Sequence, residues 1–487
     1  MRPHAHTIAI EPELAALLRR AGAEARASGK TVYASFTAPF DSAEPLAFFA
    51  AGGSGHRFYW AAPGRDLVLA GRGAAAALAA SGTDRFARVR EALARLPLLA
   101  EAAEPSASDT GPLFAGGFAF APQPPAGRSG VWEGFPDGLL ILPEFLLRRT
   151  QAGTWLTQSV AVEPGWGADE ALDRAQAARA RLFASLAAAA DPAAGLPAAL
   201  NDSPAAAAPV PEHAECPAER KQWKGSVRRL AEAARAGRVE KTVLARALRI
   251  ALPAVPSVPR LVAALAADHP QSFVFAFGLG DRHFVGATPE RLVALAGGRV
   301  RTGALAGSIR RGAAPEEDFA LGERLLTSAK DRWEHEIVRR WLVERLAPLC
   351  ARVDAGAQPA VVRFPNVQHL FTPVEAELRQ PGAHILDLLS VLHPTPAVGG
   401  SPLPEALRLI AEHEPGDRGW YAGPVGWVNA RGDGEFAVGI RSAVIDGAVA
   451  TLFAGCGIVA DSDPERELEE SRLKLSAIAR GLERALA

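Results

Sequence analysis

The run from Thr451 to Lys474, TLFAGCGIVADSDPERELEESRLK, restricts the fold more than any other stretch of the chain. It begins as an apolar strand, reads as broken at Gly455-Cys456-Gly457, and regains order at Asp463-Pro464. That pair has the form of a helix N-cap followed by proline at the first helical position. At about 100° per residue, the helix that follows gathers Glu467, Glu470 and Lys474 into one stripe and turns Glu465 and Glu469 away. Leu468, Leu475, Ile478 and Leu482 form an apolar stripe about a quarter-turn from the first. Two carboxylates and an ammonium beside a buried face read either as an ion site or as ordinary charges on a solvated helix.

Composition narrows the setting. A chain of 487 residues can make two ordinary domains or one large composite one. A formal charge of −1 favours neither nucleic acid nor an acidic membrane surface as a partner. Cys216, Cys350 and Cys456 lie far apart without CxxC spacing, which argues against a disulfide framework or a thiolate zinc site and fits a reducing compartment. The N-terminal MRPHAHTIAIEPELAALLRR carries acids and no apolar core of the signal-peptide kind. No apolar run approaches the roughly 20 residues that span a bilayer. The expectation is a soluble, cytoplasmic, globular protein with no membrane contact.

Three regions follow from the pattern: 1–190, an N-terminal half that alternates strand-like and helix-like patches; 191–214, an Ala/Pro-rich linker; and 215–487, where the chemistry-bearing motifs collect. In the first, HRFYWA and DLVLAG read as paired strands, DGLLILPEFLLRR with GTWLTQSVAV as a hairpin, and GPLFAGGFAFAP as a strand interrupted by glycine. It shows no catalytic constellation and reads as scaffold.

In the second half, VEKTVLARALRI is a strand that sets Lys241 on one face with Val239 and Val243. Such a lysine is either a snorkelling edge residue or a desolvated amine, whose lowered pKa would make it a usable base. Glu290 follows a turn at Ala287-Thr288-Pro289, where a glutamate is usually solvated. RTGALAGSIRRG, which includes Ser308, is glycine-rich and able to offer backbone N–H groups to an anion. The predicted helix ERLLTSAKDRWEHEIVRRWLVERL holds Glu334 within its apolar stripe of Leu326, Ile337, Val338, Trp341 and Leu342, a position that calls for a metal or an ion partner such as Lys330. His369 lies inside a strand pattern, where a satisfied core histidine is the ordinary reading. In GEFAVGIRSAVIDGAVATLFAGCGIV, a hairpin turning at Asp446-Gly447, alternation puts Arg441 on a face with Ala437, Gly439 and Ala443, leaving room for a carboxylate in its guanidinium fork. Carboxylate-only ligands favour a hard cation, Mg2+ above all.

Taken in order, VEKTVLAR, GATPERL, GALAGSIRRG, KDRWEHEIV, VQHL, HPTPAVGG, GDGEFAVGIRSA, FAGCGIV and PERELEESRLKLS resemble the motifs of chorismate-utilising enzymes, from about residue 215 to the C-terminus, with GPLFAGGFAFAP a weaker match before it. The resemblance implies an α+β fold like that of the anthranilate synthase large subunit, with stacked antiparallel β-sheets flanked by helices and a cleft for Mg2+ and chorismate. Ammonia-adding members usually carry glutamine where this chain has Lys241, and one type carries lysine where it has Ala306. Lys241 with Ala306, and HPTPAVGG rather than SGAPK, resemble the water-adding branch, the isochorismate and salicylate synthases. The resemblance thus implies isochorismate synthase, an isomerase. The alternatives are salicylate synthase, which also releases pyruvate, and a non-catalytic chorismate-binding paralogue.

By the same resemblance, Lys241 is the base that activates water and Glu290 the acid that protonates the leaving hydroxyl. Glu334 and Glu470, with Glu467 close by, are the Mg2+ ligands. Arg441, Lys474 and the backbone at Gly455 and Gly457 anchor carboxylates, while Ser308, His369, Ala397 and Tyr421 line the substrate pocket. The family likeness also implies a monomer with no glutamine amidotransferase subunit, serving siderophore, salicylate or menaquinone synthesis. The chain departs from the family pattern at Trp333 in KDRxEH and at Cys456 in the usual Gly-Ala-Gly.

Overall fold

Strands whose apolar residues alternate, or run unbroken, must bury one face or both. Two large sheets do this here. The computed structural model describes residues 10–51, 55–104, 111–122, 130–167, 169–189, 215–380 and 382–486, so the expected linker 191–214 falls outside it. The first sheet has twelve strands. Their spatial order is Gly400–Ser401, Lys241–Ala251, Val449–Ile458, Ser442–Asp446, Arg282–Thr288, Phe273–Leu279, Arg57–Ala61, Leu67–Arg72, Phe145–Thr150, Gly153–Val162, Val32–Pro39 and Leu98–Ala102. The second has ten: Cys350–Ala355, Val367–Leu378, Arg299–Arg310, Arg291–Ala296, Gly434–Val438, Pro424–Asn429, Leu113–Phe118, Gly138–Leu142 and Ala76–Ala80 in order, with Ala360–Arg363 beside Val367–Leu378. Antiparallel pairing predominates, and Val32–Pro39 with Leu98–Ala102 is parallel.

Phe58, Trp60, Phe275, Phe277 and Phe284 of the first sheet share one apolar cluster with Phe114, Phe118, Val425 and Phe436 of the second. The alternate residues Tyr59, Val274, Ala276 and Ala443 turn to the other face and pack on Val262 and Leu265 of helix Val258–Asp268 and on Leu475 and Ile478 of helix Pro464–Leu486. Residues on either side of 191–214 meet in both sheets, with one seam in each. Phe273–Leu279 pairs with Arg57–Ala61, and Pro424–Asn429 pairs with Leu113–Phe118. Among the described residues no helix is long and apolar enough to cross a membrane, and the three cysteines are unpaired.

The local expectations largely hold. Asp463 caps helix Pro464–Leu486 by accepting from the N–H groups of Glu465 and Arg466, and Ser442–Asp446 turns into Val449–Ile458 across Asp446-Gly447. Other expectations are corrected, two of them because the chain changes sheets where its alternation looks continuous. DGLLILPEFLLRR divides into Gly138–Leu142 in one sheet and Phe145–Thr150 in the other, and only the latter makes the hairpin with Gly153–Val162. Arg441 does not share a strand face with Ala437 and Ala443. It sits in the crossing between Gly434–Val438 and Ser442–Asp446, in the left-handed region at φ 52°. The strand Val449–Ile458 does not break at Gly455-Cys456-Gly457 but stays in register with Lys241–Ala251 throughout. The glycine-rich RTGALAGSIRRG lies mostly in strand Arg299–Arg310, with a bulge at Gly307, φ 76°, and so spends most of its backbone N–H groups on ladder bonds. The helix around Glu334 is two helices, Pro315–Thr327 and Ala329–Leu346, parted at Ser328, whose hydroxyl accepts from Asp331 N–H.

Candidate active site

Changing sheets takes residues out of both hydrogen-bonded ladders, and two such crossings lie side by side. Glu290 sits between Arg282–Thr288 and Arg291–Ala296, and Arg441 lies in the crossing that pairs with it. The two are tied by Val438 N–H donating to the Glu290 carbonyl at 3.0 Å and Ala287 N–H donating to the Arg441 carbonyl at 3.1 Å. Next to them, Val449–Ile458 outruns its partner: Phe453 pairs with Ser442, and residues 454–458 continue with a ladder on one side only. The space beside that open edge is a cavity of about 590 Å3. Lys241, Glu290, Ser308, Glu334, His369, Ala397, Tyr421, Arg441, Gly455, Gly457, Glu467, Glu470 and Lys474 all line it, so the structure brings together every position singled out from sequence.

Lys241 is 1% exposed, and its Nζ lies 2.8 Å from Glu334 Oε1. It is a desolvated amine with a counter-ion rather than a snorkelling edge residue. Burial works against the Glu334 charge, but Lys241, helped by Lys330 and Lys474, outweighs it and holds the carboxyl below its ordinary range. Lys330, the partner considered for Glu334 on its own helix, reaches Glu467 instead, at 3.5 Å. Gly457 makes the Lys241–Glu334 contact possible. A Cβ there would stand 2.4 Å from Glu334 Oε1 and 2.7 Å from Lys241 Cε, and neither atom can retreat without breaking a buried ion pair. Gly457→Ala is therefore expected to destabilise the protein by about 1–3 kcal/mol, read from the urea midpoint. An unchanged midpoint would show that the pair can give way.

Glu290 is buried rather than solvated, because the crossing carries it inward. Burial raises its carboxyl to about 7, against the pull of Lys241, Lys474 and Arg441. Arg441 is buried too, and its Nη2 lies 3.4 Å from His369 Nε2. A guanidinium only donates, so Nε2 accepts and the proton sits on Nδ1. That nitrogen is 2.8 Å from Ser308 Oγ and 3.3 Å from the Gly307 carbonyl. Burial, with Arg441 and Lys474 nearby, holds His369 neutral by pushing its pKa well down. His369 is thus not a passive core residue: with Ser308 it sets the direction of a buried cation.

On helix Pro464–Leu486, Lys474 Nζ is 2.5 Å from Glu470 Oε1 and donates to the Gly455 carbonyl at 2.9 Å. Burial opposes its charge, but Glu470 holds it as an ammonium. Carboxylate oxygens of Glu467 and Glu470 and the Cys456 thiol lie within 4.8 Å of one another. Burial and the Glu470 charge raise the Glu467 carboxyl. Two crowded carboxylates of this kind are what a hard divalent cation relieves. Cys456 is a poor ligand for one: burial raises its thiol far above the ordinary range, and Sγ–H donates to the Glu467 carbonyl at 3.3 Å. Glu334 is not part of this set in the structure, where its carboxylate is turned to Lys241.

Sequence reasoning missed Arg418. It is 5% exposed, pairs with Glu414, and donates 2.8 Å hydrogen bonds to the carbonyls of Val398 and Val243 in the cavity wall. Its segment, EPGDRGW, looks like an exposed turn, and nothing local signals those partners.

A sequence model described as chorismate binding enzyme matches residues 17–483. The isochorismate synthase MenF of Bacillus subtilis is 34% identical over 468 residues, covering 94% of this chain and 95% of that protein. The salicylate biosynthesis isochorismate synthase of Pseudomonas aeruginosa is 38% identical over 467 residues, covering 95% and 93%. Among solved structures, the menaquinone-specific isochorismate synthase MenF from Escherichia coli matches with a TM-score of 0.71 and 26% identity, over 94% of this chain and 95% of that one.

Proposed function

Because this chain belongs to the family of chorismate binding enzymes, matched from residue 17 to 483, we propose that it is an isochorismate synthase, which adds water at C2 of chorismate and expels the C4 hydroxyl. The observation that carries this reading is the pairing of functions in one cavity. A buried amine, Lys241, and a buried carboxyl, Glu290, that stays protonated to about pH 7 face the same space. Likeness over nearly the whole chain to two proteins named isochorismate synthases supports it.

In this reading Lys241 is the base that takes a proton from water as its oxygen bonds to C2. The ring double bonds shift, and the C4–O bond breaks as Glu290 gives its proton to the departing hydroxyl. One water enters and one leaves, so the net change is an isomerisation. Acid and base groups must meet opposite ends of this displacement at once, which is the usual demand of general acid–base catalysis. Arg441, aimed by His369 and Ser308, and Lys474, fixed by Glu470, serve as carboxylate anchors. Tyr421 and Ala397 shape the wall, and the backbone at Gly455 and Gly457 serves as a further carboxylate anchor. Glu467 and Glu470, with Glu334 across the cavity, would hold Mg2+, which supplies positive charge to the ring carboxylate.

Residues 215–487 carry this chemistry, and the strands between Val32 and Val162 complete the two sheets. Lys241 in place of glutamine supports water rather than ammonia as nucleophile. That favours an enzyme without an amidotransferase subunit, while the family likeness favours a monomer and three unpaired cysteines fit the cytoplasm.

Incubation with chorismate and Mg2+ tests the proposal. The expected product is isochorismate in a mixture with chorismate, with little pyruvate. Pyruvate released in step with chorismate consumed would make the chain a salicylate synthase, and no turnover would leave a chorismate-binding paralogue. The pH profile is a second test. An acid must be protonated to work, and Glu290 ionises as pH rises through about 7. The rate is therefore expected to fall above that pH through one ionisation, and Glu290→Gln to remove this limb at an activity lower by about 10²–10⁴. A limb that persists in the variant would belong to another group.

A further inference from the structure

Charge is distributed unevenly between the interior of the cavity around Lys241 and its rim. Inside, Glu334 answers Lys241, Glu470 answers Lys474, Glu414 answers Arg418, and Arg441 is turned to His369. Four lining residues are exposed and so form the rim: Arg324, Thr327, Lys330 and Arg466. Three of them are cations and none is an acid. Lys330 is engaged by Glu467 at 3.5 Å. The guanidinium groups of Arg324 and Arg466 pair with no carboxylate among the described residues. Arg324 comes from the last turn of helix Pro315–Thr327 and Arg466 from the first turn of helix Pro464–Leu486, so two separate helices bring them to one opening. Helix stability does not account for Arg466. Unpaired N–H groups make the first turn of a helix positive and favour acids there, as Glu465 and Glu467 illustrate, whereas a cation is opposed.

We propose that Arg324 and Arg466 are a capture pair, which draws the dianionic substrate to the mouth of the cavity and tightens its binding from outside the reacting centre. The inference rests on the reading of chorismate as substrate, a molecule with one carboxylate on its ring and one on its enolpyruvyl side chain. Like charges on the rim of a concave, low-dielectric cleft focus their field into it and raise the local concentration of the opposite charge. The interior anchors act only after entry, since Arg441 is 7% exposed and Lys474 is tied to Glu470 and to the Gly455 carbonyl. Neither rim arginine pairs with Glu290 or Glu334, so the groups that make and break bonds do not depend on them. Being exposed, the pair is screened by salt far more than a buried anchor is. That difference gives it a signature of its own.

Steady-state kinetics of the full chain with chorismate and saturating Mg2+ test this at low and high salt, about 10 mM and about 1 M, where the Debye length is roughly 30 Å and 3 Å. At low salt, Arg324→Gln and Arg466→Gln are each expected to raise KM about threefold and the double variant about tenfold, the range of exposed charge interactions, with kcat unchanged. At high salt, wild type and the double variant should converge. Arg324→Lys and Arg466→Lys keep the charge and should keep the wild-type KM under both conditions. An unchanged KM in the double variant at low salt, a difference that persists at high salt, or a loss that lysine does not restore would each overturn the pair. Should the chain not turn chorismate over, the same comparison is read from the dissociation constant of chorismate by calorimetry. The reaction is thus judged by its product and the capture pair by charge and salt, and only a chain that binds no chorismate at all would overturn both.

Discussion

Replacing Lys241 by alanine is expected to lower kcat by about 10²–10⁴ while chorismate still binds with nearly unchanged affinity. The amine is asked to act on water, and the carboxylates of the substrate have Arg441 and Lys474 as anchors, neither of which touches it. The change has a second effect. Glu334 would lose its nearest cation in a site where the lysine is 1% and the glutamate side chain 14% exposed. Breaking a buried ion pair costs about 3–5 kcal/mol, and the partial exposure of Glu334 towards the cavity puts this case at the lower end. Turnover, direct chorismate binding and the urea midpoint should therefore be measured on the same preparation. Lost binding with retained turnover would make Lys241 an anchor rather than the base.

The other large effect concerns the acidic cluster. Glu470→Gln and Glu334→Gln are each expected to reduce Mg2+-dependent turnover to background, but for different reasons. Glu470 supports Lys474 and crowds Glu467, so its neutralisation removes cation-binding charge and loosens an anchor together. Glu334 faces Lys241, so its neutralisation also releases the amine from its partner. Mn2+ binding followed by electron paramagnetic resonance separates these, with affinity expected to fall by at least about tenfold, the lower bound seen when even a supporting partner of a metal site is removed. Wild-type Mn2+ affinity in either variant would remove that residue from the metal site.

Much of the site is legible before folding because the signals are short-range. Asp463-Pro464 announces its helix, Asp446-Gly447 announces a hairpin, and the spacing of Glu467, Glu470 and Lys474 announces one face. What alternation cannot convey is which sheet a strand belongs to, since both sheets impose a period of two. For that reason Arg441 is misplaced on a strand, the Glu290 turn looks solvated, and the partner of Lys241 comes from a helix about ninety residues away. Arg418 is hidden for a related reason. Its burial is created by the carbonyls of Val243 and Val398, which the fold supplies from elsewhere.

The two seams carry a consequence for any attempt to isolate the catalytic half. A fragment starting at residue 215 would lose Arg57–Ala61 and Leu113–Phe118, leaving Phe273–Leu279 and Pro424–Asn429 as open edges. Phe273–Leu279 carries Phe273, Phe275 and Phe277 on one face and Val274 and Ala276 on the other, so the ladder edge it would expose is an apolar one. A long apolar edge of this kind recruits another strand. The fragment would therefore self-associate unless residues 10–189 were supplied in trans, when the same two edges would direct the halves to reassemble. Every side chain of the proposed chemistry lies in one half of the chain, yet that half is a soluble object only in the company of the other.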